Sequence, residues 1–193
     1  MLKADFHTHT TYCDGKNTPA EMVKAAYDMG FTDFGISGHG DYSPAEPGFG
    51  MTDSILSSYM KELYELREQY RGKMNLYIGI ETDCLGPVQK AEYTIGSTHY
   101  LEKNGTFVTV DASADVQKSA VHQLWNDDWY AFTRDYYETE ALVYDRTCCD
   151  WVGHFDLITK FNEGYRYFDE SSDAYLEPAL AAMKKLHRQG LPF

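Results

Sequence analysis

The order strand, capped helix, strand within the first forty residues constrains the fold more than anything else in this sequence. Leu2 to His7 has strand character. Thr18-Pro19-Ala20-Glu21 follows as a capping box, with Thr18 as the cap, Pro19 at the first helical position and Glu21 reaching back. Met22, Ala25, Ala26 and Met29 are the expected buried stripe, and Gly30 ends the helix. Phe31 to Ser37 then reads as a second strand running into Gly38-His39-Gly40-Asp41. Two strands joined through a helix form a parallel pair, so the class is α/β.

The same punctuation continues downstream. Tyr42 to Gly50, with Pro44 and Pro47, is a loop. Thr52 or Asp53 caps a longer helix carrying Ile55, Tyr59, Leu63, Leu66 and Tyr70 on one face and closing at Gly72. Asn75 to Ile80 is a third strand ending at Glu81-Thr82-Asp83, and Tyr93 to Ser97 a fourth ending at Thr98-His99. From the second strand to the fourth, each ends in a histidine or a carboxylate, which is where parallel α/β proteins place their sites.

Asn104-Gly105 between Tyr100-Leu101 and Phe107 to Val110 signals a tight hairpin. An acidic and aromatic insert follows at about 104–149. Its part from Asp111 to Cys149 is expected to hold two helices, the second with Trp129, Phe132, Tyr136 and Val143 on one side. It is either a lid or specificity wall, or simply packing. Asp150 to Gly153 leads to His154, and Asn162 to Tyr165 is a loop. A last helix is expected from about Pro178 to Gln189, with Leu180, Met183 and Leu186 inward and Gly190 past its end. Leu191-Pro192-Phe193 opens a further strand.

A length of 193 residues implies one domain, 1–193, large enough for a real core. The net charge of −13 argues against a nucleic-acid partner, which needs a basic face, though cations could still recruit a small phosphorylated molecule. No apolar run reaches transmembrane length and no basic-then-apolar leader is visible, so no membrane association and a cytoplasmic location are expected. Cys13, Cys84, Cys148 and Cys149 form no C-x-x-C pair and read as reduced thiols, Cys13 and Cys84 as small buried side chains.

His7 and His9, two apart on a strand, share a face. Asp14 follows in the turn Tyr12-Cys13-Asp14-Gly15. With His39, Glu81, His99 and His154 the candidate metal ligands number seven, five imidazoles and two carboxylates. One ion takes about four ligands, so seven imply two or three ions. Glu81, with two oxygens, is the natural bridge, and the donor types suit zinc, iron or manganese. His122 lies outside this pattern and reads as structural.

His7-Thr8-His9 with Cys13-Asp14-Gly15, then Ser37 to Asp41, Gly79-Ile80-Glu81, Gly96 to His99 and Gly153 to Ile158 together resemble the ordered motifs of the PHP (polymerase and histidinol phosphatase) superfamily, in its histidinol-phosphatase branch. The resemblance implies a distorted seven-stranded β/α barrel with a trinuclear metal centre. It implies that His7 and His9 hold one ion and that Glu81 bridges it to a second, held also by His99 and His154. Asp14 and His39 would hold a third, and Lys160 would meet the substrate phosphate. The family pattern continues with a further strand and an Asp-x-His motif supplying two more ligands. Neither is found by Phe193, so the barrel is expected to be C-terminally incomplete. The chain then reads as truncated, with a sheet edge at 191–193 open to a covering partner.

The implied activity is metal-dependent phosphomonoester hydrolysis of L-histidinol phosphate, in histidine biosynthesis. Metal-activated hydroxide is the expected attacking group, so no catalytic protein nucleophile is assigned. The alternatives are a phosphoesterase of the same superfamily acting on another small ester, and a non-catalytic metal-binding fragment.

Overall fold

A computed structural model describes residues 3–191. The chain forms two compact units, one built from residues up to Thr82 together with Gly86–Ile95, the other from Asp83–Leu85 and the residues from Gly96 on. The elements of the first unit are β1 (Ala4–Asp5), α1 (Pro19–Asp28), β2 (Asp33–Ile36), α2 (Asp53–Tyr70), β3 (Asn75–Asp83) and β4 (Tyr93–Ser97). The ends of β3 and β4 belong to the second unit. The strand order is β1-β2-β3-β4, with β1 and β3 both parallel to β2. The mixed α/β class follows, built on the expected strand-helix-strand start.

The Thr18 capping box is present in full, each partner satisfying one of the other's backbone N–H groups. The buried face of α1 is turned from the expected one. Pro19, Val23 and Ala26 are buried, Met22 is half-buried and Ala25 is exposed; Met29 is the C-cap and 61% exposed. In α2 the face is Leu56, Tyr59, Leu63 and Leu66, with Ile55 exposed. Apolar residues on more than one side of a helix leave more than one face possible by periodicity, and packing selects one.

β1 is shorter than expected. Leu2 lies outside the described residues, and the strand stops at Asp5, whose Oδ1 accepts the His7 N–H at 3.0 Å. A side chain that takes a backbone donor in this way ends ladder pairing. The segment stays beside β2 through other bonds: Ser37 N–H donates to the Thr8 carbonyl at 2.9 Å and Thr8 Oγ1 donates to the Gly35 carbonyl at 2.8 Å. The Tyr93 ring fixes the same segment. Its hydroxyl donates to the Phe6 carbonyl at 2.7 Å, and the ring fills space where a Cβ on Gly79 would come within 2.1 Å of it. Beyond Ile36 the parallel pairing resumes as a bridge between His39 and Glu81, with Gly40 N–H donating to the Glu81 carbonyl at 2.8 Å.

In the second unit β5 (Tyr100–Lys103) and β6 (Thr106–Thr109) form an antiparallel hairpin. Asn104 and Gly105 have φ of 52° and 76°, as a two-residue turn matched to strand twist requires. Three helices follow where two were expected: α3 (Ala114–Trp125), α4 (Trp129–Glu140) and the short α5 (Val143–Thr147). Ala141 caps α4, so Val143 starts a separate helix. Trp125, Phe132, Tyr136 and Tyr137 from this stretch are core residues of the unit. β7 (Trp151–Val152) leads to Gly153, whose N–H donates to the Gly96 carbonyl at 2.9 Å.

α6 spans Asp173–Arg188 and contains Pro178, which was expected to start it. Only the second turn loses a hydrogen bond to the proline, near an end where the ladder is incomplete anyway. The buried face is Tyr175, Ala179, Ala182 and Leu186, leaving Leu180 and Met183 exposed. Leu191 is buried and outside any strand, and the remainder of the strand expected there lies outside the described residues. No helix among the described residues is long and apolar enough to cross a membrane. All four cysteines are free.

The buried Tyr59 hydroxyl lies 2.6 Å from the Ile36 carbonyl and 2.8 Å from that of Gly79, tying α2 to β2 and β3. Tyr59→Phe removes the donor and is expected to cost about 1–3 kcal/mol. Urea unfolding should show a lower midpoint at unchanged slope.

Candidate metal centre

Glu81 is fully buried, and its Oε2 is the focus of the first unit. His7 Nε2 and His9 Nε2 each stand 3.1 Å from it, and His39 Nδ1 stands at 3.0 Å. His7 and His9 thus converge as alternation predicts, although they lie just beyond β1 rather than within it. The bridge to Glu81 is what delivers His39.

Asp14 joins from the turn at residues 10–15. Cys13 and Gly15 both donate their N–H to the Thr10 carbonyl at 3.0 Å. A Cβ at Gly15 would fall 2.4 Å from the Thr10 nitrogen, so only glycine closes this turn. Asp14 Oδ1 lies 2.9 Å from His9 Nδ1, and Oδ2 lies 3.6 Å from His39 Nε2. Donor atoms of His9, His39 and Glu81 all lie within 4.8 Å of one another, as do those of His9, Cys13 and Asp14. Cys13, expected only to pack, is therefore near two donors.

The charge balance follows from these distances. Burial pulls the His9 imidazolium down, but hydrogen bonds with Cys13 and Glu81, the Glu81 charge and the Asp14 bond together outweigh it and push the pKa up to about 11. For Asp14, burial raises the pKa, while the His9 bond and the charges of His39 and His9 carry it below the ordinary value. The pocket attracts positive charge. Imidazole nitrogens and carboxylate oxygens grouped at this spacing fit a divalent cation.

The remaining candidates lie in the second unit. His99 follows β4 and is buried, with its N–H donating to Asp83 Oδ2 at 2.7 Å and its Nδ1 3.3 Å from the same oxygen. Its ring centroid is 5.0 Å from that of His154, which follows β7. Among the described residues His99 enters no group of three donors within 4.8 Å. Lys160 donates to the Asp111 carbonyl at 3.0 Å and to its Oδ2 at 3.3 Å, with a side chain 45% exposed. His122 is exposed and pairs with Asp127 at 3.0 Å, as a structural histidine would.

Two buried acids went unnoticed in the sequence. Asp83 stands two residues after Glu81 on β3, within a stretch read only for its first carboxylate. Glu140 continues the buried series Phe132, Tyr136 on α4, where the four-residue spacing was available as a signal. Burial pushes the Glu140 carboxyl up to about 8, against the Thr98 bond and the His99 charge.

The model for the PHP domain matches residues 5–186. The chain belongs to the PHP domain family. Among its relatives, a Deinococcus radiodurans protein named "Probable histidinol-phosphatase" is 26% identical over 172 residues, which cover 81% of this chain and 62% of that protein. The Bacillus subtilis histidinol-phosphatase is 23% identical over 192 residues, 86% of this chain and 70% of its own length. A "Probable histidinol-phosphatase" from Schizosaccharomyces pombe is 24% identical, and the match covers 51% of it. The chain thus spans between half and about two-thirds of the length of these PHP relatives.

A solved Listeria monocytogenes structure, provisionally named a histidinol phosphatase, superposes with a TM-score of 0.80 at 21% identity, over 97% of this chain and 79% of that one. A second, the histidinol phosphate phosphatase of Lactococcus lactis complexed with zinc, L-histidinol and phosphate, gives 0.65 at 18% identity, over 98% and 70%. The fold is therefore of the PHP-type β/α barrel class, matching part of the longer relatives.

Asp14→Asn removes one of the partners that hold the proton on His9. In chelator-treated protein, the His9 ring titration followed by NMR is expected to move down from about 11 toward its ordinary 6.5.

Proposed function

We propose that this PHP domain is a metal-dependent phosphomonoesterase acting on L-histidinol phosphate to give L-histidinol and phosphate, in histidine biosynthesis in the cytoplasm. The convergence of three imidazoles on the buried Glu81 oxygen carries the proposal. The names of its relatives, and the zinc, histidinol and phosphate held by the Lactococcus lactis protein, support the choice of substrate. The family match across both units supports treating them as one PHP domain.

His7, His9, Asp14, His39, Glu81, His99 and His154 are the proposed ligands of two or three ions of zinc, iron or manganese. Such ions, when bound, supply Lewis acidity toward water and phosphoryl oxygen. The side chains do the rest. Glu81 contributes a carboxylate that cannot swing to solvent, being fully buried. His9 must release its proton to offer Nε2 as an electron-pair donor, and Asp14, at 2.9 Å from Nδ1, orients that ring. Lys160 would exchange its Asp111 partner for the substrate phosphate, which its 45% exposed side chain allows. No side chain is assigned as nucleophile.

The test is phosphate release from L-histidinol phosphate by the purified chain loaded with zinc or manganese, beside a panel of nucleotides and other small phosphate esters. Preference for L-histidinol phosphate is expected. Glu81→Ala is expected to bring release down to the level of the chelated protein and to lower metal content measured by elemental analysis, with helix content by circular dichroism unchanged. A wild-type chain that binds metal yet hydrolyses no ester would sink the enzymatic proposal and leave a metal-binding domain.

A further inference from the structure

We propose that Asp83 is a positioning residue for His99, taking the Nδ1–H of its ring and so leaving Nε2 as the electron-pair donor. The inference rests on the proposal that His99 is a metal ligand. It adds the residue that decides which nitrogen does the binding.

A neutral imidazole carries one N–H, and its two tautomers present the lone pair on opposite sides of the ring. An acceptor fixed beside one nitrogen selects the tautomer with the proton there. Asp83 Oδ2 lies 3.3 Å from His99 Nδ1 and accepts the His99 backbone N–H at 2.7 Å. The same oxygen therefore holds the main chain of His99 and stands beside its ring.

The carboxylate is itself immobilised. Its other oxygen accepts the Leu85 N–H at 2.8 Å, and the residue is 1% exposed. His99 is 4% exposed, so water offers its ring little alternative bonding. Nε2 lies on the ring edge opposite the nitrogen that faces Asp83. A carboxylate behind a ligating imidazole also makes the lone pair more basic, strengthening the bond to a metal.

The sequence gives the arrangement a simple origin. Asp83 follows Glu81 by two on β3, and His99 follows the end of β4 by two. Cys84 N–H donates to the Ser97 carbonyl at 2.7 Å, which sets the residues on either side of this bond in register. A carboxylate at 83 is thereby brought to the backbone of residue 99.

The test uses the whole chain with Asp83→Asn and Asp83→Ala, and Asp83→Glu as the conservative variant. Two quantities are read: the His99 tautomer in chelated protein, from ring ¹⁵N chemical shifts, and zinc affinity by competition with a chromophoric chelator. Wild type is expected to show the Nδ1–H form. Asp83→Ala should populate the Nε2–H form and weaken zinc binding about 10–100-fold, the usual cost of losing such an outer partner. Asp83→Asn keeps the size and an acceptor oxygen but loses the charge, so it should hold the Nδ1–H form with weakened zinc binding and reads the role where the alanine variant is unstable, and Asp83→Glu should recover part of the affinity. Retention of the Nδ1–H form in the Ala variant, or zinc affinity unchanged in the Asn variant, would overturn the role. A wild-type chain that takes up no zinc would instead overturn the metal reading, while the ¹⁵N shifts still decide whether Asp83 sets the ring.

Discussion

A carboxylate sealed from water with three imidazole nitrogens around one of its oxygens is the constraint on which the first unit depends. Removing a charged group from water costs several kcal/mol, recovered only where opposite charge and hydrogen bonds are placed well. His7, His9 and His39 bring ring nitrogens to about 3 Å from Glu81 Oε2, and the His9 imidazolium supplies opposite charge there. His9 cannot move without leaving the buried carboxylate less well compensated. The surrounding structure is arranged accordingly. Tyr93 closes over Gly79 and holds the carbonyl of Phe6, next to His7, and the resumed pairing of His39 with Glu81 holds the third ring.

The PHP fold supplies this arrangement by placing polar residues where strands end. Side chains there are anchored by a rigid sheet, which gives a site strand precision. The candidate ligand Asp14 is carried by the turn at residues 10–15, and Gly15 is the structural condition of that turn. Tyr42, buried and 2.5 Å from His39 Nδ1, ties the loop after β2 to the same group of rings.

Much of this was legible before any coordinates. The Thr18 capping box, the Asn104-Gly105 hairpin and β4 at Tyr93–Ser97 are local signals, each fixed by backbone chemistry within a few residues. The helix faces were legible only in part, because Met22, Val23, Ala25 and Ala26 offer α1 several apolar stripes and the sheet decides among them. α6 was misplaced for a related reason: Pro178 resembles a helix start, but Tyr175, bonded to Tyr137 at 2.6 Å between hydroxyls, anchors an earlier turn. The ligand candidates were readable as residues at strand ends. Their supporting partners were not. Asp83, Glu140 and Tyr42 acquire meaning only from the distances that folding sets.

Those partners also decide how the centre responds to protons. With no cation present, positive charge at Glu81 and Asp14 is supplied by the His9 imidazolium, pushed up to about 11. Its folded pKa is raised, so this contribution to stability is complete below the ordinary value of 6.5 and is lost as pH climbs through about 11. On the proposal that His9 is a ligand, a divalent ion would offer the same carboxylates a larger charge but would require His9 to surrender the proton first. Proton and metal would then compete for one electron pair. The tighter the carboxylates hold the imidazolium, the more of the metal's binding energy is spent displacing it, and the more steeply affinity rises with pH. On that reading the buried Glu81 carboxylate would both attract a cation and couple its uptake to proton release.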